Sequence, residues 1–169
     1  KKLMRTFENI LRCTDKIIRF ALAFLMSLLI LDVFWQVIAR FLMSRPSSFT
    51  EEVARFLLIW ISLFGGAYAY RLNSHLGFDL IVKNLSRKNA NALFKLCCVL
   101  VFTFAVLVMM VGGINLVNMT WMLEQRSPVL NIPMAYIYSA IPISGLLFLF
   151  YSVWFFFNVP SSSNFPGSK

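Results

Sequence analysis

Histidine occurs once in this sequence, at position 75, and cysteine three times, at positions 13, 97 and 98. A single histidine cannot supply a two-histidine haem site or the usual zinc ligand sets, and no two of the cysteines have the spacing of a metal site or a CxxC redox pair. Cys13, Cys97 and Cys98 fall near or within long apolar runs, where a thiol serves as a small apolar side chain. Nucleophile–base pairs, phosphate-cradling glycine loops and clustered metal ligands are missing as well, so neither an enzyme nor a cofactor is expected. Charge is scarce too: Asp, Glu, Lys and Arg make up 14% of the residues, whereas 59% are hydrophobic. That composition is too apolar for a soluble domain of 169 residues and reads as an all-α integral membrane protein. A formal charge of +9 invites a nucleic-acid reading. Basic residues placed between apolar segments instead follow the positive-inside rule, so membrane lipid is expected as a partner and nucleic acid is not.

Crossing a bilayer takes about 20 residues at about 1.5 Å each. Four segments qualify, at residues 20–38, 52–70, 94–117 and 134–157, within one four-helix membrane domain at 1–159, and residues 160–169 read as a disordered tail. Before the first span, Leu3, Phe7, Ile10, Leu11, Thr14 and Ile17 or Ile18 recur at helical spacing, with Arg5, Glu8, Arg12, Asp15 and Lys16 mostly between them. This pattern predicts a basic amphipathic helix lying on the cytoplasmic surface of the membrane. The apolar segment that follows is too long for a signal-peptide core and has no small-residue cleavage site, so it is expected to be retained as a span. Between the second and third spans, Phe78, Ile81, Val82 and Leu85 predict a short interfacial helix. His75, just before it, is expected as a hydrogen-bonded structural residue rather than a ligand or base.

Asp32 and Gln36 interrupt the first span, one turn apart on one face. With Arg19 and Arg40 as the membrane boundaries, Asp32 lies about 12 Å below Arg40. Arg55 of an antiparallel second span reaches that depth. Such a pair is either a structural lock between two spans or part of a proton or cation relay.

The second span collects most of the polar and small residues. It follows Pro46 and a hydroxyl-rich turn, with Thr50 as the expected N-cap and Glu51 and Glu52 in the first turn, where carboxylates suit the helix dipole. Contact with a partner protein accounts for the acidic pair equally well. Arg55 and Trp60 come next, then Ser62, Gly65, Gly66 and Ala69. Ser62 with Gly66, and Gly65 with Ala69, are overlapping small-xxx-small pairs that let another helix approach closely. The third span carries Gly112-Gly113, which also permits close packing. In the fourth, Pro133 sits near the start, a kink is expected at Pro142, and Ala140-x-x-x-Ser144 forms a small-residue stripe that implies another protein surface.

Two blocks carry a family resemblance. The first comprises Glu51 and Glu52, Arg55, Trp60, Gly65-Gly66-Ala67-Tyr68, Arg71, His75 and Asp79; the second is Ile132-Pro133-Met134-Ala135-Tyr136-Ile137-Tyr138 with Ile141-Pro142-Ile143-Ser144-Gly145. In this order and at this distance they resemble the DctQ-like small membrane subunit of tripartite ATP-independent periplasmic (TRAP) transporters, including those for sialic acid. The resemblance implies a scaffold subunit in the bacterial inner membrane, part of a secondary transporter that imports organic acids, carboxylates such as sialic acid or dicarboxylates, on a sodium gradient. It implies two partners: a large membrane subunit holding the substrate and sodium sites, and a soluble periplasmic substrate-binding protein. Asp32, Glu51, Glu52, Arg55, Trp60, Ser62, Gly65, Gly66, Ala69, Arg71, His75, Pro142 and Gly145 are the candidate interface or packing residues. The residues alone also allow another class, a self-sufficient four-span antiporter working as a homodimer, with Asp32 as its proton-coupled carboxylate. The off-centre depth of Asp32, its arginine within reach and a charge pattern with one firm orientation weigh against that class.

The orientation follows from the basic residues. Lys1, Lys2, Arg5, Arg12, Lys16 and Arg19 precede the first span, and Arg71, Lys83, Arg87, Lys88 and Lys95 surround the middle connection. The two other connections have only Arg40, Arg45 and Arg126. Both termini and the middle connection are therefore expected in the cytoplasm. Alkaline phosphatase fused after Lys169 should be inactive, and green fluorescent protein fused there should fluoresce; the opposite pair of results reverses the topology.

Overall fold

The structure is a computed structural model that describes residues 2–42, 48–73 and 87–157. Its elements are α1 (Lys2–Leu42), α2 (Ser48–Asn73), α3 (Arg87–Phe104), a π-helical stretch (Ala105–Gly112), α4 (Gly113–Met122), α5 (Met134–Tyr138) and α6 (Ala140–Phe157). Four stretches are long and apolar enough to cross a membrane: Ile10–Leu42, Ser48–Leu72, Phe94–Met122 and Met134–Phe156. The chain is thus an all-α, multi-pass membrane protein. The predicted interfacial helix at 78–85, His75 and the tail at 160–169 lie outside the described residues.

The N-terminal amphipathic stretch is not a separate helix. No proline or glycine occurs between residues 2 and 42, so nothing interrupts the hydrogen-bond ladder where that stretch meets the first span. At 41 residues, α1 is about 60 Å long, twice the thickness of a bilayer's hydrocarbon core. Its inward face takes part of the expected apolar set and one residue from outside it. Leu11 and Ile18 are buried while Ile10 and Ile17 are exposed, and Asp15, expected among the polar positions, turns inward with them.

α1 packs along α2, α2 along α6, and α6 along α3 and the π stretch. The spans therefore stand in the order first, second, fourth, third. α2 and α6 are parallel neighbours: Tyr70, near the end of α2, meets the rings of Phe148 and Phe155 in the later turns of α6, with centroids 5.7 and 5.5 Å away. The main apolar core lies at this end, where Leu11, Ile18, Phe94, Cys98, Tyr151 and Phe155 converge from α1, α3 and α6.

Small residues set the closest approaches. A methyl group on Gly145 of α6 would stand 2.8 Å from Met109 Cβ, and one on Gly113 would stand 3.0 Å from Ile141 Cγ2 and 3.1 Å from Pro142 Cδ. Met109 belongs to the π stretch, whose wider turns displace the backbone locally and bring it against Gly145. Ala140 and Ser144 are fully buried, so the stripe expected to face another protein is covered within this chain. The bend attributed to Pro142 takes the form of a division at Ser139 between α5 and α6. The ring of Pro142 crowds the carbonyl of Tyr138 four residues earlier and offers it no N–H, and regular bonding resumes when Ile143 N–H donates to the Ser139 carbonyl.

These contacts separate two glycines. Gly145→Ala should destabilise the isolated chain by about 1–3 kcal/mol, because a packed core absorbs an extra methyl poorly. Gly66→Ala should be close to neutral, since a methyl there meets only Phe148 Cζ at 3.7 Å. Thermal unfolding of the two variants in detergent checks the contrast.

Candidate subunit interface

α2 is flanked by α1 and α6, and one face is left over. Glu51, Arg55, Leu58, Ser62, Gly66, Ala69 and Leu72 are all exposed, and their spacing of three and four places them in one stripe. Its middle is small, at Ser62, Gly66 and Ala69, and its ends are polar or bulky. Gly65 is turned elsewhere: a methyl on it would meet Leu22 of α1 at 3.9 Å. Of the two small-xxx-small pairs, Ser62 lies on the open face with Gly66 at its border with α6, where a methyl would meet Phe148 Cζ at 3.7 Å, whereas Gly65 and Ala69 are divided between α1 and the exterior. Trp60 is half-buried, its ring 5.3 Å from that of Phe64.

The polar residues of the first two spans pair differently from the sequence expectation. Arg55 Nη2 lies 3.3 Å from Glu51 Oε1, with the two side chains 65% and 67% exposed. An ion pair so open to solvent adds little stability. Asp32 is held from its own helix, where Gln36 Nε2 donates to Asp32 Oδ2 at 2.7 Å. The same nitrogen approaches the Thr50 carbonyl of α2 at 3.1 Å. The expected Asp32–Arg55 lock is therefore replaced by a Gln36 bridge: Arg55 finds a carboxylate one turn away on its own helix, and Gln36 spans the gap between helices. α2 also begins at Ser48, so Thr50 lies in its first turn rather than capping it.

Glu52 separates completely from its neighbour Glu51. It is 5% exposed, and its Oε2 accepts the backbone N–H of Val129 at 3.1 Å and of Leu130 at 2.8 Å. Those amides belong to the connection between α4 and α5, which folds back on itself. Met134 N–H donates to the Gln125 carbonyl, Ser127 N–H to that of Ile132, and Asn131 N–H to that of Ser127. Asn131 takes a left-handed φ of 54°, which asparagine tolerates better than most residues. This leaves the Val129 and Leu130 amides for Glu52. Burying a carboxylate without donors is costly, and two amide donors offset that cost.

A second polar tie closes the opposite end. Tyr151 Oη of α6 donates to Asp15 Oδ1 of α1 at 2.9 Å, Arg71 Nε of α2 lies 3.4 Å from Asp15 Oδ2, and the Arg71 guanidinium sits 5.7 Å over the Phe155 ring. Three helices meet on one carboxylate. Arg71 is thus a packing residue within the chain, as are Pro142 and Gly145 against the third span. Asp15, Gln36 and Tyr151 were absent from the candidate set. The signal for Tyr151 is a tyrosine–serine pair inside an apolar span, that for Asp15 an acid within a basic segment, and that for Gln36 its place one turn from Asp32 in the first span. Among the described residues, no group of three His, Cys, Asp or Glu is placed to hold a metal ion.

A family model described as "Tripartite ATP-independent periplasmic transporters, DctQ component" matches residues 29–159, well over half of the chain. The chain belongs to that family. It is 25% identical over 152 residues, 86% of each chain, to a putative TRAP transporter small permease protein of Haemophilus influenzae. It is 29% identical over 140 residues, 80% of this chain and 76% of the other, to the sialic acid TRAP transporter small permease protein SiaQ of Vibrio cholerae. A third similarity, 32% over 99 residues, covers 58% of this chain but 15% of the much longer isethionate TRAP transporter permease protein DctMQ of Oleidesulfovibrio alaskensis. The DctQ component is a small subunit of a transporter.

Glu52→Ala should lower the thermal midpoint and speed hydrogen exchange at the Val129 and Leu130 amides, which lose their acceptor. Glu51→Ala should change neither. Exchange measured by mass spectrometry on both variants decides whether Glu52 is the clamp.

Proposed function

We propose that this chain is the scaffold of a sodium-coupled TRAP transporter for an organic acid, and that the exposed stripe of α2 receives a helix of the large transport subunit. The observation that carries this reading is the contrast between the two faces of α2. The covered faces are occupied by α1 and α6, yet the small residues Ser62, Gly66 and Ala69 remain exposed, the kind of side chain that lets helix backbones approach where lipid offers no hydrophobic drive for association. Support also comes from the DctMQ permease protein, in which the region similar to this chain is part of a far longer polypeptide.

The scaffold sits in the bacterial inner membrane with both termini cytoplasmic, by the distribution of its basic residues. On this reading the end carrying Glu51, Arg55 and the 123–133 connection faces the periplasm, where the soluble binding protein docks. The substrate is an anionic organic acid of the sort named for its relatives, sialic acid or isethionate. The antiporter class is disfavoured by the Gln36 bridge, which gives Asp32 a structural partner and ties it toward Thr50.

Gly66→Leu tests the interface. A leucine there also stands beside Phe148 of α6, so the thermal midpoint of the isolated variant is measured first and Gly66→Ala, whose methyl that contact admits, serves as the control. Association of Gly66→Leu with the large subunit should weaken by about 1–3 kcal/mol, as overpacking does. Copurification and uptake by reconstituted vesicles are the measurements, and wild-type assembly and transport by Gly66→Leu would sink the proposal.

A further inference from the structure

A second surface of the molecule is built differently. Between α3 and α6 runs an open groove of about 250 Å³ lined by Cys98, Val99, Phe102, Ser152, Val153 and Phe156. Its walls offer a ligand almost no polar group: the Ser152 hydroxyl is already committed, donating to the Cys98 carbonyl at 2.7 Å. Val99, Phe102, Val153 and Phe156 are all exposed, so the slot opens to the bilayer. At one end stands an exposed cation, Lys95, with Nζ 5.9 Å from the centre of the Phe156 ring. Lys95 precedes Val99 by one turn, and α3 itself opens with Arg87 and Lys88.

Shape and charge select the occupant. A transmembrane helix needs small residues opposite it to come close, as on the open face of α2, and here the rims are valine and phenylalanine. A flexible hydrocarbon chain fits between such side chains. From Lys95 to Phe102 the groove runs about 10 Å along the helix, the upper part of an acyl chain whose headgroup lies at the level of the lysine. Lysine on a membrane-embedded helix extends its ammonium toward the headgroup layer, where it attracts anionic lipid.

We propose that the α3–α6 groove is a binding site for one acyl chain of an anionic phospholipid, with Lys95 at its mouth meeting the lipid phosphate. This site is independent of the surface assigned to the large subunit. It gives the small subunit a bound lipid of its own, between the third and fourth spans.

Native mass spectrometry of the full-length chain, stripped of lipid in detergent and offered either phosphatidylglycerol or phosphatidylcholine, tests the assignment. The wild type should retain one phosphatidylglycerol in preference to phosphatidylcholine. Lys95→Gln should weaken that retention roughly fivefold, the contribution of one surface cation to anionic lipid. Val153→Trp, which fills the slot from an exposed position, should abolish retention of either lipid, and Lys16→Gln, an exposed cation on α1, should change nothing. Thermal midpoints of the variants confirm that they remain folded. Equal retention of the two lipids, or wild-type retention by Lys95→Gln or by Val153→Trp, overturns the proposal. In intact membranes, benzoylphenylalanine in place of Val99 should cross-link to phospholipid; a cross-link to a protein assigns the groove to a partner chain instead and overturns it as well.

Discussion

Glu52 is the residue on which the arrangement of the chain depends. A carboxylate withdrawn from water at the start of a membrane helix requires donors, and Glu52 finds them in the amides of Val129 and Leu130. The second span and the connection between the third and fourth are thereby held as one unit. That connection in turn fixes where α4 ends and α5 begins. At the other end Asp15 performs the matching service, accepting from Tyr151 and lying beside Arg71, so that α1, α2 and α6 close on one another. Between these two polar ties the contacts are apolar and depend on shape. Helices in lipid gain little from burying apolar surface, and close packing has to supply the attraction. Gly113, Gly145 and the π stretch supply it between the third and fourth spans.

The outer surfaces divide the same labour differently. Lipid alone accounts for the bulky residues that cover most of α1, among them Phe20, Phe24, Phe34 and Trp35. It does not account for a stripe with serine, glycine and alanine at its centre, where small side chains permit another helix to come close. The groove beside Val99 and Phe102 has the converse character, narrow and walled by large side chains. The two surfaces therefore differ in the shape they present to a neighbour.

Much of the fold was legible in the sequence. Four apolar runs of spanning length leave few options for the backbone, because only a helix satisfies its own N–H and C=O groups in hydrocarbon. The open stripe of α2 was legible in part, through Ser62, Gly66 and Ala69. What the sequence concealed has physical reasons. The donors to Glu52 are backbone amides, which leave no mark in a string of side chains. Arg55 had two carboxylates within reach, and the nearer one, Glu51, took it. Asp15 fell among polar neighbours in a helical pattern, and of the apolar positions around it Leu11 and Ile18 turn inward while Ile10 and Ile17 do not. The small residues at 140, 144 and 145 serve internal packing and those at 62 and 66 face outward, yet both sets have the same spacing. Only neighbours distant in sequence tell them apart.

The parallel pairing of α2 with α6 imposes an order on biogenesis. A polypeptide enters the membrane from its N-terminus, and the amides that receive Glu52 lie 77 and 78 residues further along the chain. At bacterial elongation rates that interval is about 4–15 s. During it the second span stands in the bilayer with its acidic residue unclamped and the side that α6 will cover still bare. The packing of the second span is thus completed only by chain made long after it, and its final contacts form late.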